Sequence, residues 1–495
     1  MSGPPLALAD FVAGRPAGPD GFVRADVDAR TWTALAEGCA AGAHDLVSLW
    51  ADGDTMRLAL SDAGRGLRAI ASLPTEVGRY PSVSARHRPA LRLERAMRDL
   101  YGLEPEGLPD PRPWLDHGRW PNRQSEVRYE FLPVEGEGLH QIPVGPVHAG
   151  IIEPGHFRFT ANGETVVRLE QRLGYVHKGV ERLMAGAEVA QAVRVVGRIS
   201  GDSTVAYAWA FARAVEAALG WTPPPRAVLL RAVMAELERL SHHINDVGAI
   251  CNDASMITIF ARCTLQREDL LAVVQTCFGH RLMMDCVVPG GVSVDLTAEG
   301  AGRIRNLLAR FEQTRAEILR VYDSLPSLQD RTVTTGIVAP ELVRQYAAGG
   351  FVGRASGRAV DMRKSFAYAP YDGVDFRLPT RTAGDVDARL MVRMEEITES
   401  LAILSQLLGR LAPGEVRSRR PAGRAGEGAA LVEAFRGDVF LSVRLGADDR
   451  LQRVHARDAS WFQWPLLEAA IEGNIVADFP LCNKSFNCSY SGHDL

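Results

Sequence analysis

Residues 390–408 read LMVRMEEITESLAILSQLL, and their apolar side chains recur at alternating spacings of three and four positions. This spacing places them along one face of an α-helix. The stripe consists of Leu390, Met394, Ile397, Leu401, Leu404 and Leu408. Residues 226–248 and 302–322 show the same helical periodicity. Long helices with one apolar face each predict a bundle in which those faces pack together.

Two other segments predict small sheets beside the bundle. Residues 156–175 alternate between apolar and polar side chains on both sides of Asn162-Gly163, a typical hairpin turn. Residues 429–457 indicate a short β-meander.

The N-terminal part predicts a separate, smaller unit. Helices are expected near residues 25–38 and 89–102, and antiparallel strands at 46–50, 55–60 and 67–73. The proline-rich residues 107–123 interrupt regular structure and mark the predicted boundary. The predicted fold class is α+β. A small N-terminal α+β domain covers residues 1–125, a linker covers 126–143, and a mainly α-helical bundle domain with small peripheral antiparallel β-sheets covers 144–495.

Composition limits the classes of function. The 495 residues carry a net charge of -4, which gives no general reason to bind nucleic acid or an anionic membrane surface. The seven cysteines are odd in number and scattered, which favours free thiols in a reducing cytoplasm. No stretch approaches the roughly 18–20 apolar residues of a membrane-spanning helix. We therefore expect a peripheral protein that another subunit holds at any membrane.

Two segments concentrate titratable side chains around glycines. Residues 145–159, GPVHAGIIEPGHFRF, contain His148, Glu153 and His156, and this composition fits a ligand-binding loop and an ordinary polar turn equally well. Residues 172–183, RLGYVHKGVERL, contain Tyr175, His177 and Lys178, for which a helix start with a solvated charged face is the simpler interpretation.

Two further segments show a three-residue offset typical of paired metal ligands. Ser200 and Ser203 in RISGDS are hydroxyl side chains, which bind nickel, iron or zinc poorly, and their predicted local role is to cap the helix that follows. Cys482 and Ser485 in the tail show the same offset. One cysteine without partners is more simply a packed or surface thiol.

Together these segments resemble one family: the large subunits of group 4, membrane-bound NiFe hydrogenases and the homologous D-type, quinone-site subunit of respiratory complex I, the NADH-quinone oxidoreductase. The resemblance covers residues 144–495, and residues 80–121 look like the C-type subunit of complex I. It rests on GPVHAGIIEPGHFRF, GYVHKGVERL, RISGDS, DCVVPGGV, GFVGRASG, DMRKSFAYAPY, GDVDARLMVRMEEITESL and DFPLCNKSFN, which occur in this order.

The resemblance implies a lost metal centre. Active hydrogenases of this family hold nickel and iron with two Cys-x-x-Cys pairs. The corresponding positions here are expected to be Ser200 and Ser203, then Cys482 and Ser485, so that three of four thiolates are missing. The resemblance therefore implies no Ni-Fe centre and no hydrogen turnover, as in the hydrogenase-related energy-converting complexes that lack nickel ligands.

The complex I branch uses a tyrosine and a histidine for quinone chemistry. The position of that tyrosine falls on Gly201, His148 matches the first histidine of the family loop, and His156 is a stand-in for the second. Glu153 matches a loop glutamate associated with proton movement in the hydrogenase branch. The resemblance thus implies a proton path or acceptor cavity at His148, Glu153 and His156.

Other matching positions are expected around this cavity and at the interface with a small subunit. They are Tyr175, His177, Lys178, Arg198, Gly201, Arg354, Asp361, Arg363, Asp478 and Asn483. The implied partners are a small Fe-S subunit of the complex I B type with one 4Fe-4S cluster, a ferredoxin-like Fe-S subunit, and antiporter-like and complex I H-type membrane subunits. No cofactor is expected in this chain itself, and quinone is a candidate acceptor.

The resulting hypothesis is a subunit of a membrane-associated oxidoreductase on the cytoplasmic side of the cell membrane. It would pass electrons from the partner cluster to an acceptor and couple this to ion translocation. The alternatives are a non-catalytic scaffold that docks the Fe-S subunit on the membrane arm and, less favoured, a true hydrogen-evolving hydrogenase.

Overall fold

The computed structural model describes residues 5–120, 128–150, 152–421 and 425–495. Its N-terminal part is an α+β unit around a four-stranded sheet in the order β1-β4-β3-β2. The expected antiparallel strands pair as predicted, and β1 adds in parallel to β4. The elements are α1 Leu8–Val12, β1 Val23–Asp26, α2 Ala29–Ala40, β2 Asp45–Asp52, β3 Thr55–Asp62, β4 Leu67–Pro74, β5 Arg79–Pro81, α3 Leu91–Tyr101 and β6 Glu104–Glu106.

A three-stranded antiparallel sheet follows, with β8 in its centre. The hairpin at residues 156–175 is confirmed, but its two-residue turn is Gly163-Glu164, because Asn162 still pairs with Thr165. The strand before it occupies residues that were predicted as linker, while residues 121–127, at the predicted domain boundary, lie outside the described residues. The elements are β7 Leu139–Val144, β8 His156–Asn162 and β9 Thr165–Arg172.

The three long predicted helices are confirmed as α7, α9 and α14, and α7 packs along α8 and α14. Within the described residues, no helix is both long and apolar enough to cross a membrane. The elements are α4 Val180–Met184, α5 Val189–Val196, α6 Thr204–Leu219, α7 Pro225–Asp253, α8 Ile257–Phe278, β10 Val287–Val288, β11 Gly291–Val292, α9 Ala298–Asp323, α10 Pro326–Thr332, α11 Pro340–Gln345, α12 Gly350–Ala355, α13 Met362–Ser365 and α14 Val386–Arg410.

The predicted β-meander is confirmed as an antiparallel sheet whose first strand lies against α6. Two glycines permit this close packing, because a Cβ at Gly428 would meet the Ala214 carbonyl oxygen at 2.0 Å and one at Gly426 the Ala218 oxygen at 2.3 Å. The elements are β12 Gly426–Ala434, β13 Gly437–Leu445, β14 Leu451–Arg457, α15 Ser460–Ala470, α16 Phe479–Phe486 and α17 Tyr490–Asp494.

The meander also joins the bundle to the N-terminal sheet. His455 of β14 lies 2.7 Å from the Ser48 hydroxyl of β2, and Arg457 donates to the Val47 carbonyl at 2.7 Å. These side chains are buried, so the two parts of this α+β chain share a polar as well as an apolar contact.

Candidate functional site

A single turn of 3-10 helix, Gly201–Ser203, lies directly before α6, and Ser200 is the extended residue that precedes it. The buried Ser200 hydroxyl donates to Asp202 at 2.6 Å and lies 2.8 Å from the hydroxyl of Ser489 in the C-terminal tail. The hydroxyl of Ser203 is buried and has no hydrogen-bond partner among the described residues. The turn therefore contacts the tail through Ser200.

Neither serine caps α6, and this local prediction is wrong. Both lack a side-chain cap hydrogen bond. The carboxylate of Glu238 on α7 accepts instead from the Val205 amide at 2.8 Å and the Ala206 amide at 3.2 Å. Burial raises the pKa of this carboxyl to about 8, against the two amides that lower it. The cap comes from another helix, which a local sequence pattern does not reveal.

We expect Glu238→Ala to destabilise the protein by about 1–2 kcal/mol, because two first-turn amides lose their acceptor. Ser203→Ala is the matched control, and we expect a change within about 0.5 kcal/mol because its hydroxyl has no partner among the described residues. Thermal unfolding of both variants checks this. The opposite order of effects would restore the serine as the cap.

Cys482 and Ser485 lie on α16 and face Arg389. Among the described residues, neither side chain shows a contact with Ser200. The buried Arg389 guanidinium donates to the Ser485 hydroxyl at 2.9 Å, and that hydroxyl donates to the Cys482 carbonyl at 2.6 Å. Burial raises the pKa of the Cys482 thiol to about 11, which favours the neutral thiol. Of the flanking residues, Asp478 accepts from Arg331 at 3.3 Å, and the Asn483 carbonyl accepts from the Asn487 amide within the tail.

Glu153 lies against the same tail, close to Ser489. Its carboxylate accepts from the Ser491 hydroxyl at 2.9 Å and from the Ser491 amide at 3.2 Å. The preceding His148 is held by the Gly155 carbonyl at 2.8 Å. The loop therefore brings an acid to the tail segment that also contacts Ser200.

His156 and Tyr175 line a cavity of about 580 Å³ that Glu153 does not line. Burial lowers the pKa of His156, and its Nε2 accepts from Arg158 at 3.3 Å while Nδ1 contacts the Gly145 carbonyl at 3.2 Å. Burial raises the pKa of Tyr175, whose ring lies 4.3 Å from that of His117. Glu153 and His156, which were expected at one cavity, therefore lie at two neighbouring positions.

Of the remaining positions that were expected at the interface, His177 contacts the tail directly. The His177 ring lies 2.7 Å from the Asp494 carbonyl, and Lys178 donates to the Ile199 carbonyl at 3.3 Å, with a pKa lowered by burial. Arg198 forms an exposed ion pair with Asp285 at 2.7 Å. Gly201 is exposed, and no atom of the described residues lies within 4 Å of the position that a Cβ would take.

Arg354, Asp361 and Arg363 form a fully buried group of charges inside the bundle. Together with their neighbours they make up three guanidinium groups and four carboxylates, which we name the Arg354 cluster. Its members are Arg239, Arg354, Arg363, Glu236, Asp361, Glu396 and Glu433. Only Arg354, Asp361 and Arg363 were expected from the sequence.

Glu396, one of the cluster residues that were not expected, belongs to a periodic pattern that the sequence shows. Arg389, Arg393, Glu396 and Ser400 follow each other at spacings of four, three and four, so α14 has a charged stripe beside its apolar one. They meet a matching stripe on α7, where Asp246 pairs with Arg393 at 3.2 Å, His243 with Glu396 at 2.7 Å and Glu236 with Ser400 at 2.6 Å. We call these three contacts the α7–α14 ladder.

Comparisons with known proteins place the chain in a family. Residues 253–424 match the model for the 49 Kd subunit of respiratory-chain NADH dehydrogenase, and residues 53–130 match that for its 30 Kd subunit. Formate hydrogenlyase subunit 5 of Escherichia coli is 31% identical, over 84% of this chain and 77% of the relative. The chain belongs to the family of group 4 hydrogenase large subunits and D-type complex I subunits, with a C-type N-terminal part.

Other members of the family show the same two branches. The carbon monoxide-induced hydrogenase of Rhodospirillum rubrum is 31% identical, over 70% of this chain and 97% of the relative. The C/D subunit of NADH-quinone oxidoreductase from Phocaeicola vulgatus is 28% identical, over 74% of this chain and 77% of the relative. The chain is thus similar to both hydrogenases and quinone oxidoreductases.

The residues of this family member do not fit a Ni-Fe centre. Ser200 contacts Ser489, and three positions after Ser489 lies Gly492, which has no side chain to bind a metal. A Cβ at Gly492 would lie 2.8 Å from the Asp458 carboxyl group, which fills that place. Hydroxyls that hydrogen-bond directly to each other are poor nickel or iron ligands. The pair of tail residues three positions apart that lies beside Ser200 is thus Ser489 and Gly492, whereas Ser485 is bonded to Arg389.

Proposed function

We propose that this chain is the large peripheral subunit of a membrane-associated oxidoreductase complex, on the cytoplasmic face of the cell membrane. It receives electrons from a small Fe-S partner that carries a 4Fe-4S cluster and delivers them to an acceptor, without a Ni-Fe centre. The complex couples this transfer to ion translocation through antiporter-like and H-type membrane subunits.

One observation carries this proposal: the family's metal site is closed while an acid remains beside it. The hydroxyls of Ser200 and Ser489 are hydrogen-bonded to each other at 2.8 Å, and the nearby Ser491 hydroxyl donates to the Glu153 carboxylate. A carboxylate that accepts from a hydroxyl can pass a proton along that hydrogen bond. Proton movement beside the tail thus survives the loss of the metal ligands.

The cavity of His156 and Tyr175 is the proposed acceptor site. Its volume of about 580 Å³ suits a small organic molecule, and its aromatic lining suits a flat ring such as a quinone. The ring of Phe131 lies 5.0 Å from that of His156, and the Tyr175 hydroxyl supplies a hydrogen-bond donor. Lys178 and His177 lie beside the tail, at the proposed interface with the Fe-S partner.

We expect Glu153→Gln to lower the coupled turnover of the purified complex by about 10²-fold, because glutamine cannot carry a proton. Turnover is measured with ferredoxin or a chemical reductant as donor and a short-chain quinone analogue as acceptor, together with ion transport in vesicles. Glu164→Gln, at an exposed position in the β8–β9 turn, is the matched control and leaves both rates unchanged.

Two results would contradict this proposal. Stoichiometric nickel in the purified complex would show that a metal centre is present. An unchanged rate and unchanged ion transport in Glu153→Gln would remove the proton path.

A non-catalytic scaffold is the second candidate, and a specific observation favours it. At the emptied metal site itself, side chains fill the space, since Asp458 occupies the position next to Gly492 and Ser489 contacts Ser200. In that case the chain only docks the Fe-S partner onto the membrane subunits. Tyr175→Phe and Glu153→Gln would then change neither electron transfer nor ion transport in a complex that still assembles.

A further inference from the structure

The Arg354 cluster contains more carboxylates than cations. Four carboxylates face three guanidinium groups, and all seven side chains are at most 3% exposed. Burial lowers the pKa of the adjacent His243, which disfavours a positive charge on this imidazole, although Glu396 opposes the shift. A buried group with one uncompensated negative charge is strongly disfavoured, and it takes up a proton instead.

The hydrogen bonds indicate which carboxylate carries that proton. Asp361 forms a two-point ion pair with Arg363, whose guanidinium donates to both of its oxygens at 3.0 and 2.7 Å. Glu236 is also paired with Arg363, at 2.9 Å, and it accepts from the hydroxyls of Tyr371 and Ser400.

Glu396 and Glu433 share the remaining guanidinium, that of Arg354. Glu396 accepts from Nε of Arg354 at 2.7 Å, and the His243 ring is its second partner at 2.7 Å. Glu433 accepts from a single nitrogen of this guanidinium, Nη1, at 3.0 Å, and its other oxygen accepts from the Met362 amide at 2.9 Å. Asp361 lies 3.4 Å from the same Nη1. Glu433 is therefore the carboxylate of the cluster with the weakest ion pairing.

Among the described residues, the other cations around Glu433 form no ion pair with its carboxylate, and Arg213 donates to the Leu431 carbonyl instead. Arg239 of α7 donates its terminal nitrogens to the Ala434 and Glu433 carbonyls. Asp438, opposite Glu433 on β13, is paired with Arg457. Tyr368 accepts from the Glu433 amide at 3.3 Å, and Arg213 of α6 stacks on the Tyr368 ring.

We propose that Glu433 is a buried proton-binding site, which takes up one proton from solution near neutral pH and releases it again. The transfer is a simple protonation in which the O–H bond formed on the Glu433 carboxylate replaces one on hydronium or a buffer acid. Nη2 of Arg354 has no hydrogen-bond partner among the described residues, so this donor is free to form a new hydrogen bond when the proton moves. The site does not depend on electron transfer.

The direction of the pKa supports this assignment. Burial and the nearby Asp361 raise the pKa of Glu433 to about 7, and the three arginines oppose this only in part. Since folding raises this carboxyl pKa above its unfolded value, the protonated form stabilises the fold below about pH 4.5. That stability is lost as the pH rises through about 7.

The experiment is a pH titration of the wild-type complex, without turnover, by infrared difference spectroscopy of the carboxylic acid C=O band. We expect a buried protonated carboxyl that ionises near pH 7 and is lost in Glu433→Gln, beside that of Glu238, which ionises near pH 8 and is lost only in Glu238→Gln. Glu427→Gln is the matched control, because Glu427 lies on the same strand and forms more exposed pairs with Arg57 and Arg24. It leaves the band unchanged.

A second variant tests the proposal if Glu433→Gln does not fold. Asp361→Asn keeps an acceptor for the Arg363 amide but removes the like charge next to Glu433, so the titration moves to lower pH. The proposal is overturned if the wild type has no protonated carboxyl that ionises between about pH 5 and 9 other than the one that is lost in Glu238→Gln. An unchanged midpoint in Asp361→Asn would overturn it as well.

Discussion

Replacing Arg354 by glutamine is expected to destabilise the protein by about 3–5 kcal/mol, a large part of the stability of a typical domain. The guanidinium is fully buried and lies within 3.4 Å of Glu396, Glu433 and Asp361. Its removal leaves buried carboxylates without compensation. Thermal unfolding of the purified chain, and its yield in the assembled complex, measure the loss.

Arg344→Gln is the matched control for this substitution. Its partner Glu341 lies 2.7 Å away, but both side chains are more than half exposed, so we expect a change within about 0.5 kcal/mol. The double variant Arg354→Gln, Glu433→Gln should recover part of the loss, because it removes one uncompensated carboxylate. An unchanged unfolding temperature in the single variant would contradict this interpretation of the cluster.

Restoring cysteines at the emptied site is not expected to restore a nickel centre. The triple variant Ser200→Cys, Ser203→Cys and Ser489→Cys places thiols where hydroxyls now lie. The fourth change, Gly492→Cys, forces a Cβ to within 2.8 Å of Asp458, whose carboxylate is held by the Tyr207 hydroxyl at 2.7 Å. This overpacking costs about 1–3 kcal/mol, so the quadruple variant unfolds at a lower temperature than the triple variant.

Gly201→Ala provides the control, since a Cβ there meets no described atom within 4 Å, and we expect no change in stability. Elemental analysis and thermal unfolding of the variants measure the result. Stoichiometric nickel in a quadruple variant of unchanged stability would contradict our interpretation of the site.

Much of the fold could be predicted from local patterns. Helical periodicity identified α7, α9 and α14, and the alternation around Asn162-Gly163 identified the β8–β9 hairpin, because the burial of one face determines each pattern. The parallel pairing of β1 with β4 was not predicted, since it joins residues distant in the sequence. Residues of the predicted linker form β7 because β8 offers them an edge.

The candidate site was predicted in part, for a related physical reason. A spacing of three residues identifies possible paired ligands, but it does not show which pairs meet in space. Cys482 and Ser485 were therefore expected beside Ser200, whereas the tail places Ser489 and Gly492 there. The cap on α6 comes from Glu238, on a different helix. The charged stripe on α14 was present in the sequence, but only burial distinguishes it from a solvated face.

The α7–α14 ladder fixes the alignment of these two helices. Sliding α14 by one helical turn along α7 would separate Asp246 from Arg393 and His243 from Glu396 at the same time, and would leave each charge facing a wrong neighbour in the dry interior. Apolar side chains alone tolerate such a slip far better. The polar contacts therefore define a single register between the two helices, which the apolar stripe alone would leave open.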